Sequence, residues 1–276
     1  MAAATPAGTG PWRDLRTRLL SVLVLGPMVL GCIWAGGSWF LGMMVLTLAG
    51  LAWEWVRLSG GLARGPVGLA MPAIILLAAG LAGWGLPWLG VGLLLPGAWL
   101  LWRLAGALPH GFLALGVIYL GLFGVAFITL RLDPEAGRAN VFFLMLLVWA
   151  SDSAAYIAGR ALGGPKLWPA ISPGKTWSGA LGGLLGAMLV GALAAILVAP
   201  AAAPLWAALV AGALGVVSQA GDLLESGIKR RFGVKDSSHL IPGHGGLLDR
   251  LDGFLAAAPL AVVWSMILGS GVYLWR

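Results

Sequence analysis

From Leu19 onward the chain alternates long apolar runs with short polar breaks rich in glycine, proline and arginine. The apolar runs lack the strict every-second-residue alternation of a half-buried strand, and their lengths suit helices. A bilayer core of roughly 30 Å takes about 20 apolar residues in helical form. Nine runs approach that length: Leu19–Trp34, Trp39–Val56, Val67–Trp84, Trp88–Trp102, Phe112–Leu130, Val141–Tyr156, Gly179–Val198, Pro204–Leu224 and Phe254–Leu274. The pattern predicts an all-α polytopic membrane protein. The fourth run is the weakest, short and with Pro96 near its middle, and a re-entrant or kinked segment is its alternative.

Composition agrees with that class. The 276 residues are 60% hydrophobic and 10% charged, and a soluble domain needs far more polar surface. Charge then sets the orientation. With the N-terminus in the cytoplasm and the spans alternating, cytoplasmic segments hold 14 of the 17 basic residues, including Arg13, Arg16, Arg18, Arg57 and Lys229 to Arg231. The opposite side keeps Arg131, Arg138 and Arg276, so the positive-inside rule favours nine spans with the N-terminus inside and the C-terminus outside. Anionic headgroups account for most of the net charge of +7, and no nucleic acid partner is needed. The single cysteine, Cys32, has no partner for an internal disulfide.

Polar chemistry divides the chain in two. Residues 1–140 carry five spans and almost no ionisable group away from their ends. Glu54 is the exception, and Arg57 one turn later predicts an ion pair at the cytoplasmic edge. Residues 141–276 interrupt their apolar runs with charge at "WASDSAAY", "KLWPAISPGKTWSG" and "GDLLESGIKRR", all on the predicted cytoplasmic side. A charge at bilayer depth costs about 2.5–3.5 kcal/mol on insertion scales, which makes Asp152 a candidate functional residue. Asp222, Glu225, Ser226 and Lys229 share one helical face. Their two carboxylates oppose the helix dipole and require a counter-charge, from Lys229, Arg230 or a metal ion.

Asp249 and Asp252 fall three apart at the start of the last run, on one face of its first turn. Two carboxylates so close repel unless a proton or cation intervenes. With Asp222 they form an oxygen-rich set suited to Mg²⁺, which takes one or two carboxylates together with substrate phosphates. The intervening loop holds Gly233, Gly243, Gly245 and Gly246 among Lys229, Arg230, Lys235 and Arg250. Glycines bring backbone N–H groups close to an anion, so this loop is a candidate phosphate site. His244 is either a phosphate donor or acid–base group there, or a structural turn residue. "SPGKT" ends like a Walker loop, but Pro169 stands where that pattern needs glycine. Lys175 is then a free-standing phosphate ligand. Gly179-xxx-Gly183 and Gly182-xxx-Gly186 predict close helix packing.

The stretch from Ser226 to Asp252, "SGIKRRFGVKDSSHLIPGHGGLLDRLD", resembles the signature of phosphatidate cytidylyltransferases. "SDSAAYIAGR", "ISPGKTWSG" and "GDLLES" are similar to further family segments. One position departs: Ser178 stands where the family usually has glutamate. The resemblance implies transfer of CMP from CTP to phosphatidate at a bacterial inner membrane, with the site facing the cytoplasm. It implies Mg²⁺, with room for a second cation, held by Asp222, Asp249 and Asp252. Asp152, Lys175, Ser226, Lys229, Asp236, His244 and Arg250 become the implied catalytic residues. Lys175, Lys229, Arg230, Lys235, Arg250, Gly245 and Gly246 become the phosphate ligands. The family analogy also suggests a homodimer.

Overall fold

The computed structural model describes residues 11–198 and 202–276, with side chains from residue 19 onward. The side chains of Arg13, Arg16 and Arg18, counted above toward orientation, lie outside the described residues. Nine α-helices occur among the described residues: α1 (Pro11–Ala35), α2 (Gly37–Leu58), α3 (Pro66–Gly83), α4 (Pro87–Leu104), α5 (His110–Leu132), α6 (Gly137–Leu162), α7 (Trp177–Val198), α8 (Pro204–Arg231) and α9 (Leu248–Leu268). Each expected run has its helix. Seven are long and apolar enough to cross a membrane; α1 and α4 are not among them. Three tryptophans, two prolines and Arg103 lower the hydropathy of α4, while the apolar part of α1 is only Leu19–Ala35.

Helix α5 is the hub, packed by α2, α3, α4 and α9, and it is the most deeply buried of the seven. Beside it α6, α7 and α8 form a tight trio. Small residues make that closeness possible, as the spacing of glycines in α7 predicts. A methyl group on Gly186 would stand 2.6 Å from Ala154 Cβ and 2.8 Å from the Ala150 carbonyl oxygen, both on α6. Gly191 presses in the same way on Ala207 of α8. Without a hydrophobic drive between helices in lipid, such backbone approach supplies dispersion contact in its place.

Length lifts the charged ends. The 28 residues of α8, at 1.5 Å each, run about 42 Å, longer than a core of roughly 30 Å. Its last turns, with Lys229, Arg230 and Arg231, therefore stand at or beyond the apolar zone.

The last helix differs from expectation. It begins at Leu248 and ends at Leu268, six residues earlier at each end than the predicted Phe254–Leu274. Gly269, at φ 95°, stops it in a backbone region that side chains disfavour. The following residues fold back on the α5–α6 turn. Asn140 donates to the Val272 carbonyl (3.1 Å) and accepts from Leu274 N–H (2.9 Å). Asp133 accepts from Ser270 Oγ and Gly271 N–H, and Trp275 packs on Phe143 with its ring centroid 4.7 Å away.

Candidate active site

At the other end of the bundle the C-terminal ends of α2, α6 and α8 meet the N-terminus of α9. Between α6 and α7 lies a two-stranded antiparallel hairpin, β1 (Lys166–Trp168) and β2 (Ser172–Thr176), with Lys166 opposite Thr176. "SPGKT" is thus a strand and not a phosphate-cradling loop. Thr176 Oγ1 accepts the Gly179 N–H (3.1 Å) and caps α7. Ser178 Oγ donates to the Gly163 carbonyl, so Thr176 donates to Ser178 across 2.9 Å. The Ser178 hydroxyl thus ties the hairpin to the end of α6.

With its backbone fixed, β2 sends Lys175 to Asp222 on α8, Nζ to Oδ2 2.5 Å. Ser226 Oγ lies 3.4 Å from the other Asp222 oxygen, a weak contact. One turn further along, Lys229 Nζ is 2.6 Å from both Glu225 Oε2 and Asp249 Oδ1. Its side chain keeps only 12% of its surface exposed. Lys229 thus supplies the counter-charge that Glu225 was expected to need, and it also bridges to Asp249 on the adjacent helix.

Asp249 also organises the loop. Its Oδ2 accepts from Gly246 N–H (2.8 Å), Ser237 N–H (2.9 Å) and Ser237 Oγ (3.0 Å). Gly245 adopts φ 83°, and a methyl there would meet Asp249 Oδ2 at 2.8 Å. Glycine is required for both reasons. The expectation that Gly246 offers its N–H to phosphate is corrected: the residue is buried and that N–H is spent on Asp249.

Glu54 requires the largest revision. Arg57 turns away and lies over the Trp53 ring at 5.3 Å, so the expected edge ion pair does not form. Glu54 is fully buried and points instead into the signature loop. It accepts from Leu247 N–H and Leu248 N–H (2.8 Å each) and Ser238 Oγ (2.6 Å), and it shares with Asp249 the single proton of Ser237 Oγ, 3.1 Å away. The first turn of a helix leaves N–H groups without internal partners; α2 supplies the acceptor for α9. Reading the chain locally missed this, because the partners lie up to 194 residues away.

Asp152, Asp222, Glu225, Asp249 and Asp252 surround this centre, and among the described residues Lys175 and Lys229 are their paired counter-charges. Asp252 feels the negative fields of Asp222, Glu225 and Asp152, and Asp152 feels the negative field of Asp222 against the positive field of Lys175. Asp152 has an exposed side chain and makes no hydrogen bond to Ser151, Ser153 or Tyr156. Tyr119 of α5 adds a buried hydroxyl without a hydrogen-bond partner beside Asp252 and Glu225, another residue the sequence did not flag. Among the described residues no three acids form a ready-made ligand set. Of the expected set Asp222, Asp249 and Asp252, Asp222 is paired with Lys175, and Asp249 with Lys229 and the loop N–H groups.

The remaining expected residues line the loop. Arg230 Nη1 donates to the Val234 carbonyl (2.9 Å), and Arg250 Nε to the His244 carbonyl (3.0 Å). Lys235 and Asp236 are exposed. His244 has a buried Nδ1 without a hydrogen-bond partner.

The model of the cytidylyltransferase family matches residues 16–268, from within α1 to the end of α9, and includes the whole acidic centre. The chain belongs to this family. Among its family relatives, the phosphatidate cytidylyltransferase of Brucella suis is 40% identical over 261 residues, 92% of this chain and 94% of the relative. That of Pseudomonas aeruginosa is 42% identical over 270 residues, 91% of this chain and 97% of the relative. A Bacillus subtilis protein of the same name is 40% identical over 149 residues, 54% of this chain. The likeness of the first two runs nearly end to end, so the cytidylyltransferase resemblance is not confined to the signature.

Proposed function

We propose that the chain transfers CMP from CTP to phosphatidate, giving CDP-diacylglycerol and pyrophosphate. The observation that carries this reading is the acidic centre with its two clasped lysines, set where long apolar helices meet a polar loop. A soluble polyanion and a membrane lipid can both reach such a place. The names of the nearly full-length relatives support the substrate pair.

The donor set fits Mg²⁺. Five carboxylates face two ammonium groups, and hard divalent cations take oxygen ligands. Asp222 and Asp252 would hold it, together with Asp249 through Oδ1, in competition with Lys175 and Lys229. When bound, the cation would offset the charge of the CTP phosphates. The chain's own groups do the rest. Displaced from their acids, Lys175 and Lys229 would face the incoming phosphates. Arg230 and Lys235 add cationic donors on the loop side. A phosphatidate oxygen attacks the α-phosphorus, the bond to the bridging oxygen of the β-phosphate breaks, and pyrophosphate leaves with that electron pair. Basic groups around the leaving oxygens stabilise its charge. The site opens to the cytoplasm of a bacterial inner membrane, on the side the basic residues mark.

The test uses purified protein, phosphatidate, Mg²⁺ and CTP labelled at either the α- or the γ-phosphorus. Only the α-label should enter the lipid; entry of the γ-label would mean a kinase and end this reading. Asp249→Asn should lower CMP transfer by about a hundredfold or more, a loss of roughly 2.7 kcal/mol in transition-state stabilisation. Helix content should be retained.

A further inference from the structure

A cavity of about 890 Å³ lies on the far side of α9 from the acidic centre. Leu247, just before α9, and residues 250, 251 and 254 of α9 face it, while Asp252 and Ala256 pack toward Gly221 of α8. One helix thus presents carboxylates on one side and an apolar wall on the other. The rest of the wall comes from α1, α2, α5 and α6, with Met43, Phe123, Phe127 and Met145 among the lining residues. Along α1 it runs from Ser21 to Ile33. Twelve helical steps of 1.5 Å make that about 18 Å, more than half of a core of roughly 30 Å. The volume lies near the upper end of the range for small-molecule sites, about 300–1,000 Å³.

The imidazole and guanidinium of the cavity lie at its loop end. His244 and Arg250 both line it there. Arg250 uses Nε on the His244 carbonyl, which leaves its two terminal nitrogens for a bidentate contact with an anion. His244 adds its buried, unpartnered Nδ1. We infer that this cavity seats the acyl chains of phosphatidate, with the lipid phosphate held by Arg250 and His244 at the N-terminal end of α9. The inference rests on the proposed function for the identity of the lipid. It adds where the lipid lies: against α1 and α2, behind α9, with its phosphate beside the loop that Asp249 organises. A phosphate monoester suits the arginine fork because no headgroup covers it.

Two glycines allow a direct test. Gly26 and Gly42 line the cavity, and a Cβ on either meets nothing within 4 Å. Gly42→Phe and Gly26→Phe should fill the space without disturbing the packing. Wild-type protein in phosphatidylcholine nanodiscs would be irradiated with phosphatidate bearing a mid-chain diazirine. Adducts should concentrate on residues 22–33 and 39–47, disappear with excess unlabelled phosphatidate, and fall sharply in both phenylalanine variants and in Arg250→Gln. In the CMP-transfer assay the phenylalanine variants should raise KM for long-chain phosphatidate about tenfold, equivalent to 1.4 kcal/mol. KM for CTP should not change. Equal labelling by a phosphatidylcholine probe, adducts on other helices, or unchanged KM in both variants would overturn the assignment. Labelling as expected without CMP transfer to any lipid would sink the proposed function and leave the phosphate-lipid seat standing.

Discussion

Replacing Glu54 by glutamine would put an amide donor against Leu247 and Leu248 N–H groups that need an acceptor. Hydrogen bonds to a charged group are worth about 1.5–3 kcal/mol each, and a buried group left unsatisfied costs as much again. Glu54→Gln should therefore lower the melting temperature and reduce kcat about tenfold or more, because Ser237 links Glu54 to Asp249 and the loop between them loosens. Glu54→Asp, which keeps the charge, should recover part of the turnover. A glutamine variant with wild-type kcat would reduce Glu54 to a packing residue. Nothing local could have revealed this role: Arg57 stands at a reachable spacing, and the true partners follow only once α9 docks on α2.

Among the elements, the helices were legible and the hairpin was not. Long apolar runs signal helices because the bilayer leaves the backbone no other way to satisfy itself. The shift of α9 has a plain cause. Asp249 and Asp252 read as the polar border of an apolar run, yet carboxylates are at home in the first turn of a helix. The β1–β2 hairpin gave no alternating signal, since Pro173 and Gly174 sit inside its second strand. Spacing put Asp222 and Asp252 close enough for their charges to interact. It could not show that Lys175 would already occupy Asp222, and Lys229 Asp249. Ser178 makes a separate prediction. Ser178→Ala removes the donor to Gly163, and a typical hydrogen bond contributes about 0.5–1.5 kcal/mol. The variant should melt a few degrees lower and keep kcat within about a factor of two, because no catalytic group touches that hydroxyl. A large loss of kcat at unchanged stability would place Ser178 in the chemistry.

At the scale of the molecule, the two ends of the bundle have separate duties. The end opposite the site is closed by Asp133, which receives Ala136 N–H (2.8 Å), Glu135 N–H, Ser270 Oγ and Gly271 N–H. Partial burial pushes its carboxyl pKa up, but these donors outweigh that and hold it below the ordinary carboxylate value. A depressed pKa stabilises the folded state above the unfolded value, near 3.9, and that stabilisation fades as pH falls through the folded value. Asp133→Asn should therefore melt lower than wild type at neutral pH, and the gap should narrow only below about pH 4. CMP transfer in that variant should stay near wild type at permissive temperature. A gap constant down to the acid limit would mean that the charge of Asp133 contributes nothing.

The distance in sequence between Glu54 and its partners is also a distance in time. When α2 leaves the ribosome, the amide of Leu247 is still 193 residues from being made. Until α9 arrives, Arg57 one turn along α2 is a counter-ion within reach, so a pairing absent from the finished protein is open to the nascent chain. Exchange of that early partner for the capping amides would then mark the moment at which the last helix enters the bundle.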